Sequence, residues 1–126
     1  MRKRSVRILD SFGYAIRGLY YAFRSQRHMK VHVTVATAIV FAGFNCEITK
    51  IEWLLLVLAI SGVMVTELIN TSIELSIDLV TKKLRPRAML AKDVAAGAVF
   101  LSAIAAVIIG IIIFGDKFLE MIATLI

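Results

Sequence analysis

The residues with the clearest capacity for chemistry lie in one stretch, Glu67-Leu-Ile-Asn70-Thr-Ser-Ile-Glu74-Leu-Ser-Ile-Asp78. On a helix, Glu74 lies about 20° to one side of Glu67, Asp78 about 20° to the other side, and Asn70 about 60° away. Three carboxylates and one amide therefore share a face. Such a face suits a divalent cation and a proton acceptor. The alternative is a polar stripe that joins helices through hydrogen bonds.

The composition indicates a membrane protein. Of the 126 residues, 60% are apolar and 19% charged, against about 45–50% and about 25% in soluble domains. A bilayer core about 30 Å thick requires about 20 apolar helical residues, and residues 31–48, 53–73 and 94–114 are predicted to cross it. The second span contains Glu67, which lies about 21 Å along the helix axis from Trp53 at the rise of an α-helix.

Basic residues orient these spans, because lysine and arginine beside a membrane helix are retained on the cytoplasmic side. Eight precede residue 31, and five lie between the second and third spans, whereas the other two loops or tails carry Lys50 and Lys117. The pattern predicts a cytoplasmic N-terminus and an external C-terminus.

Residues 6–23, within the segment 1–29, are typical of an amphipathic surface helix. Apolar residues recur every three or four positions, with Arg7, Arg17 and Arg24 between them. Tyr14 and Tyr20 suit the membrane interface. A plain membrane anchor is the alternative interpretation.

Depth in the membrane gives the acids different predicted roles. Glu67, inside the boundary, suits a general base, whereas Glu74, near the boundary, suits a hard cation. Lys92 and Asp93 enter the third span at the same level, and a lysine there suits phosphate. These groups together predict phosphoryl transfer. His28 and His32, one turn apart, are a weak metal signal because no HEXXH motif is present.

The run ELINTSIELSIDLV, followed by LAKDVAAGAV with its lysine 18 residues after Glu74, resembles the prokaryotic diacylglycerol kinase family. These are small trimeric membrane lipid kinases that include undecaprenol kinases, and the resemblance covers residues 7–106. It implies an all-α integral membrane domain over 1–126, with a surface helix and three transmembrane helices, assembled as a homotrimer with shared active sites. The implied reaction is transfer of the γ-phosphate of ATP to a lipid hydroxyl, with Mg²⁺.

The resemblance also implies roles for individual residues. Glu67 matches the catalytic proton acceptor, Glu74 the magnesium ligand, and Asn70 the amide between them. The residues predicted to bind ATP are Arg7, Tyr14, Gln26, Glu74, Lys83, Arg85, Lys92 and Asp93. Those predicted to bind the lipid are Arg7, Tyr20, Phe23, Glu67 and Asn70, and those predicted to hold the metal are Glu74 and Gln26.

Two positions depart from the family pattern. Many members have a glutamate where this chain has Gln26, which brings an amide oxygen without charge and puts the metal affinity in question. A Tyr-His pair near the nucleotide is replaced by Leu84 and Arg85, and Arg85 suits stacking on adenine or pairing with phosphate.

The acceptor lipid stays open between undecaprenol and diacylglycerol, although the Met-Lys-Val-His and Ile-Glu-Trp runs favour undecaprenol by resemblance. The predicted partners are ATP, the lipid alcohol and further copies of the chain, with no nucleic acid. A non-enzymatic channel or transport subunit, with acids lining a pathway, is the competing interpretation. A kinase fold inactivated through Gln26 is a third.

Overall fold

The computed structural model describes residues 8–83 and 85–125, which form four helices in chain order. They are α1 (Ile8–Ser25), α2 (Arg27–Asn45), α3 (Lys50–Val80) and α4 (Pro86–Leu125), and the described ranges contain no strand. The all-helical class predicted from the sequence is confirmed.

The helices extend beyond the predicted spans. At about 1.5 Å per residue, the 31 residues of α3 reach about 46 Å and the 40 of α4 about 60 Å, which exceeds a bilayer core of about 30 Å. The predicted spans cover only the apolar residues, whereas the backbone of α3 and α4 stays helical through the polar residues beyond them. The C-terminal end of α2 is the exception, because this helix is shorter there than predicted. It ends at Asn45 instead of residue 48, and Glu47 adopts a positive φ of 49°.

Two helices are long and apolar enough to cross a membrane, over Lys50–Val80 and Pro86–Thr124. Helix α2, of 19 residues, is not one of them, and its polar start, Arg-His-Met-Lys-Val-His, lowers its mean hydropathy. The predicted crossing at 31–48 therefore stays a prediction.

Local signals in the sequence account for the start of each long helix. Thr49 and Glu52 form a capping box, in which the Thr49 hydroxyl accepts from the Glu52 amide at 3.3 Å and the Glu52 carboxylate accepts from the Thr49 amide at 2.7 Å. Pro86 occupies the first position of α4, where a backbone N–H would have no partner within the helix, so proline costs no hydrogen bond there. Both devices set where the helices begin, and so which residues face each other along α3 and α4.

Helices α3 and α4 pack along their length and are joined at three levels. Lys117 Nζ lies 3.0 Å from Glu52 Oε1 near the start of α3. At mid-length the hydroxyls of Thr66 and Ser102 lie 2.8 Å apart. At the other end of the pair, Lys92 Nζ lies 2.6 Å from Asp78 Oδ1. A small apolar core of Ile48, Leu56 and Ile113 packs beside these contacts. The three levels fix the register of α4 on α3.

Most large apolar side chains of α3 and α4 are exposed, among them Leu54, Val57, Leu58, Phe100, Leu101, Ile111 and Ile112. Contiguous exposed apolar surface of this kind marks a membrane or protein interface. The small core and the apolar exterior together fit a chain whose surroundings are lipid or other chains.

The contact between Thr66 and Ser102 generates a testable prediction. In a double-mutant cycle of Thr66→Val and Ser102→Ala, we expect a coupling of about 0.5–1.5 kcal/mol, which is typical of interhelical hydrogen bonds in membrane proteins. Unfolding by denaturant in mixed micelles measures it. Thr37→Val is the control, because the Thr37 hydroxyl bonds to the Val33 carbonyl of its own helix. Strict additivity of the two substitutions would show that the hydroxyls do not interact.

Candidate active site

The acidic face of α3 passes from buried to exposed along the helix. Glu67 is 2% exposed, Glu74 is half-buried, and Asp78 is exposed. Their i, i+7 and i+11 spacing keeps them on one side of the helix. The structure therefore offers a carboxylate shielded from water at one end of the face and a water-accessible carboxylate at the other.

Helices α1 and α2 close over the buried end of this face. Ala22 of α1 and Met29 of α2 are almost fully buried, at the point where the two helices meet. His28, beside Met29, places Nδ1 3.8 Å from Glu67 Oε1, although its side chain is 79% exposed. That separation is too long for a hydrogen bond. The imidazole thus lies between the buried carboxylate and the solvent.

Asn70 connects the two glutamates. Its Nδ2 donates to Glu74 Oε1 at 3.2 Å, which sets the orientation of the amide, because only the NH₂ group can donate to a carboxylate. The amide oxygen Oδ1 is then left buried, without a hydrogen-bond partner among the described residues. Buried polar atoms are nearly always paired, so such an atom calls for a ligand or water.

Thr71 is a site residue that the sequence reasoning missed. It is 4% exposed, and its Oγ1 is also buried and unpartnered within the described ranges. At i+4 from Glu67 it lies about 40° from that residue around the helix. The helical period alone places Thr71 near Glu67, but a helical threonine ordinarily bonds to its own backbone, so the sequence carries no signal that this hydroxyl is unpartnered.

Lys92 and Asp78 join the ends of α3 and α4. Lys92 Nζ lies 2.6 Å from Asp78 Oδ1, which places a positive charge one helical turn beyond Glu74. Asp93 is exposed beside it, and Lys83 and Arg85 are exposed in the connection between the helices. The structure thus brings Lys92 to the exposed end of the acidic face.

The other predicted site residues lie on α1 and at the break after it. Tyr14, Tyr20 and Phe23 are exposed on α1, and the Tyr20 hydroxyl accepts from Arg24 Nη1 at 2.8 Å. Gln26 is half-buried between α1 and α2, and its side chain does not cap α2. Arg7 lies outside the described residues.

The donors present fit Mg²⁺, which favours oxygen ligands and commonly uses one or two carboxylates together with substrate phosphates. Glu74 offers a half-buried carboxylate, and the Gln26 side chain at the break between helices is not used for capping. In the described part of the chain, no cluster of three or more His, Cys, Asp or Glu side chains is placed to hold a metal. A metal at Glu74 would therefore depend on phosphate oxygens to complete its coordination.

Comparisons with known proteins identify the class. A family model described as prokaryotic diacylglycerol kinase matches residues 13–114. The undecaprenol kinase of Bacillus subtilis (strain 168) is 43% identical over 111 residues, which are 88% of this chain and 90% of that protein. The diacylglycerol kinase of Synechocystis sp. is 42% identical over 104 residues, which are 82% of this chain and 59% of that protein.

A more distant relative, the diacylglycerol kinase of Pseudomonas aeruginosa, is 27% identical over 96 residues, or 76% of this chain and 78% of that protein. These matches define an enzyme, a membrane lipid kinase. The chain belongs to the prokaryotic diacylglycerol kinase family, and the resemblance noted in the sequence is confirmed. The non-enzymatic channel interpretation has no support from them.

The contact between Asn70 and Glu74 can be tested through stability. In Asn70→Asp the donor becomes a second carboxylate facing Glu74, so we expect a loss of about 1–3 kcal/mol in the free energy of unfolding near pH 7. The loss should shrink as the pH falls, because a protonated aspartic acid donates again.

Thermal unfolding in micelles across pH measures this effect. Asn45→Asp is the matched control, since Asn45 Nδ2 also donates, to the Phe41 carbonyl, but at an exposed position. An equal loss in both variants, or a loss that does not depend on pH, would contradict the assigned contact.

Proposed function

We propose that this chain transfers the γ-phosphate of ATP to the hydroxyl of a membrane lipid, with Mg²⁺ as cofactor. The observation that carries the proposal is the buried Glu67 carboxylate on an apolar helix, beside polar atoms of Asn70 and Thr71 that have no partner among the described residues. Ionisable groups at membrane depth are costly and mark functional sites. A lipid hydroxyl is the ligand that can reach a carboxylate in such a position.

The proton chemistry is assigned to Glu67. A lipid hydroxyl donates to its carboxylate and loses the proton to it as the oxygen attacks phosphorus, which is general base catalysis. Asn70 holds Glu74 through the 3.2 Å hydrogen bond, so the two glutamates keep separate positions. His28, mostly exposed and 3.8 Å from Glu67, is on the route by which the proton reaches water.

Charge neutralisation is assigned to the exposed end of the face. Glu74, with the amide oxygen of Gln26, would hold Mg²⁺, which when bound neutralises the β- and γ-phosphates of ATP. Lys92 contacts the phosphates from α4, where Asp78 holds it in place at 2.6 Å. Catalysis is then largely positioning and electrostatic stabilisation.

The remaining nucleotide contacts are proposed on exposed residues around this end of the helices. Tyr14 of α1, together with Lys83, Arg85 and Asp93, would contact ATP, and Tyr20 and Phe23 would contact the lipid at the interface. Arg7 is assigned to both substrates by family resemblance.

Undecaprenol is the acceptor we favour. The relative named undecaprenol kinase matches 88% of this chain at 43% identity, and the family resemblance of two short runs points the same way. A relative named diacylglycerol kinase is nearly as similar, at 42%. Both lipids present one hydroxyl at the interface, so the acceptor is settled by measuring both.

The proposed assembly is a homotrimer with three membrane crossings per chain, at α2, α3 and α4. The N-terminus and the active site face the cytoplasm of the cell membrane, and the C-terminus lies outside. The distribution of lysine and arginine supports the orientation. The apolar surface that a single chain leaves exposed on α3 and α4 supports association with further copies.

The experiment that tests the function is transfer of labelled γ-phosphate from ATP to undecaprenol and to diacylglycerol in mixed micelles. We expect Mg²⁺-dependent transfer by the wild type. Glu67→Gln and Glu74→Gln each keep the side-chain size but remove the charge, so each should lower turnover by at least about 100-fold.

Glu120→Gln is the control, because Glu120 lies on an exposed turn near the far end of α4 and should leave transfer unchanged. Absence of transfer to either lipid by the wild type would contradict the proposal. Equal rates on the two lipids would remove the preference for undecaprenol.

A further inference from the structure

The hydroxyl of Thr71 differs from other hydroxyls on the helices of this chain. Six serine or threonine side chains donate to the carbonyl four residues earlier in their own helix, namely Ser25, Thr34, Thr37, Thr66, Ser76 and Thr124. Thr71 does not, since its Oγ1 has no partner within the described ranges, the Glu67 carbonyl included. Because the residue is 4% exposed, bulk water does not compensate. The hydroxyl is available for a ligand.

Its position is beside the catalytic carboxylate. Residues four apart on a helix are neighbours, with Cβ atoms about 6 Å apart, so a ligand atom between Glu67 and Thr71 can contact both. Asn70 Oδ1 is the second unpartnered atom in this region. Its amide hydrogens face Glu74, so this oxygen can only accept. Of the two unpartnered groups, Thr71 is the one that can donate.

We propose that Thr71 is a further catalytic residue, whose hydroxyl donates a hydrogen bond to the acceptor oxygen of the lipid. This inference rests on the proposed function. The lipid O–H donates to Glu67, one lone pair of its oxygen attacks the γ-phosphorus, and the other accepts from Thr71. The new P–O bond forms as the bond to the β-phosphate oxygen breaks, ADP leaves with that electron pair, and Glu67 takes the proton.

The hydrogen bond from Thr71 strengthens during this step. The acceptor oxygen becomes more negative as its proton moves to Glu67, and a donor fixed in a water-poor site stabilises developing charge most. The contribution therefore belongs to the transition state, and its loss should lower kcat more than it raises KM for the lipid.

The test compares Thr71→Val, which keeps the shape and removes the hydroxyl, with Thr71→Ser, which restores it. We expect Thr71→Val to lower kcat by about 100-fold, with KM for ATP and the thermal unfolding midpoint close to those of the wild type. Thr71→Ser should recover most of the turnover. Thr37→Val is the control, because its hydroxyl is exposed and bonds within α2, and it should turn over like the wild type.

Each other outcome overturns this assignment. Wild-type turnover in Thr71→Val would show that the hydroxyl contacts no reacting group. A raised KM for ATP with unchanged kcat would place it on the nucleotide. Equal losses in the valine and serine variants, with lowered unfolding midpoints, would show a packing role. Failure of the proposed function is distinguishable, because the wild type itself would then transfer no phosphate to either lipid.

Discussion

The carboxylate of Glu67 is nearly inaccessible to water, on a helix long and apolar enough to cross a membrane. An ionisable group in such a place costs free energy unless polar partners compensate for its lost hydration. Asn70 and Thr71 lie next to Glu67 on its own helix, and α2 brings His28 to within 3.8 Å. The polar atoms of Asn70 and Thr71 that have no partner among the described residues are those that a reacting hydroxyl would need.

The packing of α3 against α4 determines which residues lie at the exposed end of the acidic face of α3. The Glu52–Lys117 pair, the Thr66–Ser102 contact and the Asp78–Lys92 pair lie at successive levels along the two helices. Together they fix the register, and the register brings Lys92 to the level just beyond Glu74. A one-turn slip of α4, about 5.4 Å, would move that lysine away from the acids. Stability and site geometry therefore depend on the same contacts.

Much of the candidate site could be predicted from the sequence because of the helical period. A run with Glu67, Asn70, Glu74 and Asp78 on one face specifies both a helix and a site, because side-chain direction follows directly from the backbone period. The partner of Lys92 was not predictable in the same way, since it lies 14 residues away across a reversal of the chain. The contact of His28 with Glu67 likewise depends on how α2 packs. Thr71 was missed because a helical threonine ordinarily bonds to its own backbone.

Glu67 acts through the position of its carboxylate, and Glu67→Asp tests this most directly. This substitution keeps the charge and withdraws the carboxylate by one methylene from its place beside His28 and Thr71. A misplacement of about 1 Å can cost about 100-fold in rate. We expect a fall in kcat of that order, with KM for ATP and the unfolding midpoint near wild-type values. Turnover within a few-fold of wild type would contradict it.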